Sequence, residues 1–220
     1  MKKLVLFTSL LAVLLLAITG CSGQTNDIEK IVGSRMSGFA YSEIGYITFQ
    51  DLVLFSDMIV IGNIQDIAEV KEEKIGSGDN VLSVTVTYYN VLVKETLSGV
   101  KSAKLVISLL GSPDSHVGMT KPNIGETLVL FLSEEHPESK TRAVNGFEKG
   151  LFRVSENGKV VSFSDEKLTA QYDGISVDML KSEIAIALSG DFSEAFYSLF
   201  DETYQTILRQ RNQQRQINEY

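Results

Sequence analysis

A mainly β domain with α-helices after it is what this 220-residue chain predicts, and three observations carry that expectation. From Met58 onward the apolar residues follow a period of two or run as continuous β-branched stretches. Between those stretches lie polar and glycine-rich segments of the kind that reverse a chain. After Asp165 the period changes to that of a helix and stays there.

The elements follow in order. Residues 47–55 place Ile47, Leu52, Val53 and Phe55 around Asp51. That spacing suits a short helix starting near Thr48, with a carboxylate in the first turn where the helix dipole favours negative charge. The run MIVIGNIQDIAEV is a strand in which Gly62 marks a bulge or bend. KEEKIGSGDN reads as the hairpin loop that follows. Residues 81–97 then alternate Val84, Val86 and Tyr88 and, after a slip, Val91 and Val93, in a stretch rich in threonine, tyrosine and valine. A strand this long must curve, as barrel strands do.

SGVKSA turns the chain and KLVISLLG returns as a third strand. A loop over residues 112–126 leads to TLVLFLS, a fourth strand, and the charged EEHPESK loop comes next. GLFRV and KVVSF flank Asn157-Gly158, a strong hairpin signal. Antiparallel strands joined by long, variable loops argue for a small closed or nearly closed barrel. Ser176 caps a helix over residues 177–188, which Gly190 ends. Asp191 and Glu194 suggest a capping box for a second helix, whose face is Phe192, Phe196, Leu199, Phe200, Tyr204, Ile207 and Leu208. That face either docks on the β region or recruits a partner. The polar tail RQRNQQRQINEY is expected to be solvated and frayed.

The amino-terminal 21 residues have a different character. Lys2 and Lys3 precede an apolar run from Leu4 to Ile18, then small residues and Cys21, in the pattern of a secretory signal. Ile18-Thr19-Gly20-Cys21 resembles the lipobox of bacterial lipoproteins, in which cleavage before the cysteine precedes its acylation. The resemblance implies lipidation of Cys21, the sole cysteine, and a location on the extracytoplasmic face of the cell membrane. Acyl chains bury methylenes at about 0.8 kcal/mol each, and two or more anchor stably. The implied layout is a signal peptide (1–20), a flexible tether (21–45), a barrel domain (46–165) and a helical extension (166–220).

Cleavage would remove two lysines and take the formal charge from −8 to −10. Such acidity disfavours nucleic acid and anionic lipid headgroups as partners. With Cys21 acylated, disulfides, thiolate metal ligands and cysteine nucleophiles are excluded.

Residues 57–64, DMIVIGNI, resemble the opening strand of netrin-like domains, the class that includes tissue inhibitors of metalloproteinases. Residues 91–99, the strand over 105–109, and 125–131 (GETLVLF) are similar to its continuation and close. That likeness implies an OB-type barrel. The fold class expected is therefore mainly β with α: a small antiparallel OB-like β-barrel followed by a C-terminal helical extension. The inhibitory residues of the class do not carry over, because its free amino-terminal cysteine and its disulfides have no counterpart here.

Catalytic signatures are weak. Ser98-Gly99-Val100-Lys101 and Ser164-Asp165-Glu166-Lys167 both fit Ser-x-x-Lys, but they lie in turns and no Lys-Thr-Gly accompanies them. His116 lies near Asp114, and His136 follows Glu134-Glu135; one imidazole per loop is below the ligand density of a zinc site. Gly76-Ser77-Gly78 precedes a strand and is no dinucleotide loop. Tyr88 and Tyr89 either form half of a binding platform or divide between core and surface.

The functional expectation is a tethered, non-enzymatic envelope module. It binds an envelope protein or small ligand, uses no cofactor or metal, and presents loops 112–122 and 134–140. An envelope hydrolase with an unfamiliar site and a loop-based protease inhibitor are the alternatives.

Overall fold

The computed structural model describes residues 48–75, 82–114, 121–199 and 202–218. They belong to one compact unit, Gly38–Tyr220. Helix α1 (Phe49–Phe55) is followed by strands β1 (Met58–Ile75), β2 (Leu82–Ser98), β3 (Lys104–Leu110), β4 (Thr127–Leu132) and β5 (Arg142–Ala143). A 3-10 turn at Phe147–Gly150 leads into β6 (Leu151–Val154) and β7 (Val160–Ser162). Four helices follow among the described residues: α2 (Lys167–Ala170), α3 (Val177–Leu188), α4 (Glu194–Tyr197) and α5 (Glu202–Asn218).

The strands form one mixed sheet in the order β5-β3-β2-β1-β4-β6-β7, antiparallel everywhere except between β3 and β5. The expected closed barrel is not formed as an unbroken ladder: β5 and β7 lie at opposite ends of the order. The physical reason is the shortness of β5, which offers the ladder only Arg142 and Ala143. Just past it, one isolated antiparallel bridge joins Val144 to Leu132 of β4. Ser133 N–H donates to Ala143 O and Asn145 N–H to Phe131 O, each at 2.9 Å.

Both faces of the sheet's centre are buried, which is why β1 reads as an uninterrupted MIVI rather than as an alternation. One face gathers Val60, Ile64, Tyr89, Val91, Ile107, Leu128, Leu130 and Leu132 into the main core. The opposite face meets α1, whose Phe49 ring packs edge-on against Phe131 at 5.7 Å and Phe152 at 6.4 Å. The register slips at Gly62, as expected of a glycine inside a strand.

Three sequence expectations need correction, the first being that the one helix read over Phe192–Leu208 is two, α4 and α5. The charged run Lys71–Ile75 is strand, not loop, because it pairs with Leu82–Val86 of β2. The polar tail is helix as far as Asn218 rather than frayed. It is held from outside: Arg209 stacks over Tyr197 at 3.7 Å, and Asn212 Nδ2 donates to Asp191 Oδ1 at 2.9 Å. Gly190 does follow α3, but without a left-handed backbone, and a Cβ there would first meet the flexible end of the Gln50 side chain.

A helix of seven residues is too short to be stable alone, so α1 depends on its ends and its neighbours. Thr48 and Asp51 form the capping box at its start. Asp51 is wholly buried, and its carboxylate also reaches across 142 residues to the start of α4. Ser193 N–H donates to Oδ1 at 2.8 Å and Ser193 Oγ to Oδ2 at 2.9 Å, while Thr48 N–H and Oγ1 donate to Oδ2 at 2.9 and 2.8 Å. Two helix starts therefore share one carboxylate. Asp51→Ala strands these buried donors and is expected to cost about 2–4 kcal/mol. Urea unfolding followed by circular dichroism checks it; a loss below about 0.5 kcal/mol, the range of ordinary surface substitutions, would refute the linking role.

Candidate functional site

Three separate segments build one open cleft of about 420 Å³. The β2–β3 turn brings Val100, Lys101 and Ser102, and the start of β3 brings Lys104, Leu105 and Val106. The loop after β4 adds Glu135 and Lys140, and β5 adds Arg142, with Met58 and Asn90 completing the lining. The parallel pairing of Ile107 with Arg142 is what sets the last two segments beside β3.

Each cation is positioned by a local cause. Gly99 turns the chain after β2 at φ 91, a left-handed value that suits glycine. A Cβ there would lie 2.5 Å from Asp57 O, so the turn sits hard against the start of β1. Lys140 also adopts a left-handed backbone, at φ 57, which is uncommon for a long side chain. Its N–H donates to His136 O at 2.9 Å, and His136 N–H to Thr141 O at 2.8 Å. Lys140 Nζ then lies 3.5 Å from Glu135 Oε1.

Arg142 is the fixed member of the set, its side chain only 11% exposed. Nη1 donates to Asp57 Oδ2 at 2.7 Å and to Ser133 O at 2.8 Å. Asp57 Oδ1 accepts in turn from Arg211 Nη2 of α5 at 3.2 Å. The buried Nε has no hydrogen-bond partner. A guanidinium held on one edge in this way is pre-organised to present its remaining donors. Lys101 and Lys104 are exposed and form no ion pair among the described residues.

The cleft therefore lines up four cations against one carboxylate, in a chain whose formal charge is −8. A second, larger hollow of about 640 Å³ lies between α1, α2 and α3. It is lined by one cation, Lys167, and two carboxylates, Glu166 and Glu183, and concentrates no charge of one sign.

The chain matches no protein-family model and no curated protein.

The residues singled out in the sequence fare differently. Cys21, His116 and Gly76-Ser77-Gly78 lie outside the described residues. His136 sits in the cleft-forming loop, where its Nδ1 accepts from Ser139 N–H at 3.3 Å. No group of three or more histidine, cysteine or carboxylate side chains able to hold a metal occurs among the described residues. Of the two Ser-x-x-Lys stretches, Ser98 ends β2 and Lys101 reaches the cleft, while Ser164 Oγ accepts from Glu166 N–H at 3.2 Å beside α2. Glu135 and Lys140 of loop 134–140 line the cleft. The cationic cluster itself was missed, since Lys101 and Lys104 stand almost forty positions before Lys140 and Arg142 and only the β3–β5 pairing unites them.

Tyr88 and Tyr89 form no surface platform. Both are buried, on opposite faces of β2. Burial pushes the Tyr88 hydroxyl above the usual tyrosine range, helped by its hydrogen bond to Glu73. Burial does the same to Tyr89, and to Tyr197, whose hydroxyl also donates to Asp191. A folded-state pKa above the unfolded value means that the folded chain holds more protons above about pH 10, so stability declines as pH rises through that range. Alkaline titration at 295 nm should show only part of the chain's eight tyrosines ionising reversibly near pH 10, with the buried phenols following only on unfolding; reversible ionisation of all eight near pH 10 in the folded protein would contradict their burial.

Proposed function

We propose that this chain is a membrane-anchored extracytoplasmic lipoprotein whose body is an OB-like barrel acting as a non-enzymatic binding module. The anchor rests on the lipobox-like Ile18-Thr19-Gly20-Cys21 and the apolar run before it. No described helix is long and apolar enough to cross a membrane; in this reading lipid on Cys21 makes the attachment.

The OB-like reading is supported by how the strands pair. β1 lies between β2 and β4, β2 pairs β3, and β3 runs parallel to β5. The Leu132–Val144 bridge then ties the β5 segment to β4 as a short seam. The observation that carries the binding role is the position of the cleft beside that seam, where a turn, a loop and a strand end converge. Small-molecule sites are concave and of about 300–1,000 Å³, and this cleft falls in that range. Binding to an envelope ligand is the work such a surface does.

Cys21→Ala should move the protein from the detergent phase to the aqueous phase in Triton X-114 partitioning and leave the signal uncleaved at Cys21. Unchanged partitioning and size would remove the lipoprotein reading. In a separate test, replacing residues 134–140 by a glycine-serine loop should abolish recovery of a crosslinked envelope partner or ligand. Full recovery would remove the binding role of the cleft.

A further inference from the structure

We propose that the cleft between the β2–β3 turn, loop 134–140 and β5 is a phosphate site, built to take a small phosphomonoester. This inference rests on the binding-module reading and names its ligand class.

Charge is the first argument. Lys101, Lys104, Lys140 and Arg142 line one concavity with a single carboxylate, Glu135, among them. Like charges gathered in a chain of formal charge −8 oppose one another and cost stability. The same field attracts a compact anion. Glu135 is already paired with Lys140, and Asp57 is shared between Arg142 and Arg211, so Lys101 and Lys104 are left without a counter-charge among the described residues.

Geometry is the second argument. Arg142 is immobilised on its inner side by Asp57 and Ser133 O, and Asp57 is itself held by Arg211. Its Nη2 makes no hydrogen bond to a described residue, whereas its Nε is sealed from solvent, so Nη2 is the donor left for a ligand. A fork held in this way matches an oxyanion, and the flanking lysines supply point charges around it. A dianionic phosphoryl group matches two unpaired lysines beside an arginine that shares its carboxylate with Arg211 better than a carboxylate with its single charge does.

Size and surroundings limit the ligand. The cleft has apolar walls at Met58, Val100, Leu105 and Val106, so a small organic body sits beside the phosphoryl group. An extended polyanion would meet the chain's overall negative charge, which opposes it. A soluble phosphate ester and a phosphorylated lipid headgroup share the required chemistry.

Isothermal titration of the soluble protein, beginning after Cys21, uses glycerol 3-phosphate and inorganic phosphate as probes, with acetate as the singly charged control. A sedimentation arm uses phosphatidylcholine vesicles with and without phosphatidic acid. Saturable binding of the phosphates but not of acetate is expected. The Lys101→Gln/Lys104→Gln double variant, both positions exposed, should weaken it about tenfold, and the Lys159→Gln control should leave it unchanged. Arg142→Gln should abolish binding, with circular dichroism confirming the fold; if that variant does not fold, the lysine pair decides.

Binding to phosphatidic acid vesicles alone assigns the phosphate to a lipid headgroup, and binding to glycerol 3-phosphate alone assigns it to a soluble ester. Equal binding of acetate, equal affinity in the double lysine variant, or no binding of either phosphate source would overturn the inference. Loop-dependent recovery of an envelope partner without any response to phosphate would overturn it while leaving the binding-module reading intact.

Discussion

The buried carboxylate of Asp51 is the constraint on which the packing of this protein turns. A charge removed from water is tolerated only when hydrogen bonds replace its hydration, and four donors from two distant helix starts do so. The short α1 helix is thereby fixed at one end to α4, while its apolar sides rest on the sheet through Phe49 and on α4 through Phe55 and Phe196 at 5.7 Å. At its other end Asp57 accepts from Arg142 and Arg211. Seven residues and the aspartate just beyond them thus connect the sheet, the β5 segment and the C-terminal helices.

That arrangement has a direct consequence for the cleft. Arg142 is rigid because Asp57 is placed by the end of α1, and Asp57 is also engaged by α5. Lys101 and Lys104 form no ion pair among the described residues, so the cleft combines one fixed guanidinium with exposed point charges. Guanidinium and ammonium differ in this way in most anion sites: one supplies direction and the other supplies field. Attachment at a membrane surface, as proposed through Cys21, would hold this cleft close to envelope components without requiring the domain itself to be apolar.

Much of the local structure was legible in the residues. Thr48 with Asp51 and Ser176 before α3 were readable because a cap needs only side chains within one turn. Asn157-Gly158 was readable because its turn geometry selects those residues. The misreadings share a cause. Lys71–Ile75 looks like loop by composition, yet Tyr88 and Thr85 across the ladder give its charged side chains partners. The tail after Leu208 lacks an apolar face, yet Arg209, Arg211 and Asn212 find aromatic and acidic partners elsewhere.

By itself the chain determined its periods, its caps and turns, its single cysteine and its acidic balance, because each depends on residues within a few positions of one another. Tertiary structure alone decided that the ladder stays open at β5, that Asp51 serves two helices, and that four cations meet in one cleft. Those outcomes depend on contacts across tens to hundreds of positions. Local pattern carries no record of such pairings; they follow only from which backbone edges and buried charges the folded chain brings within a few ångströms.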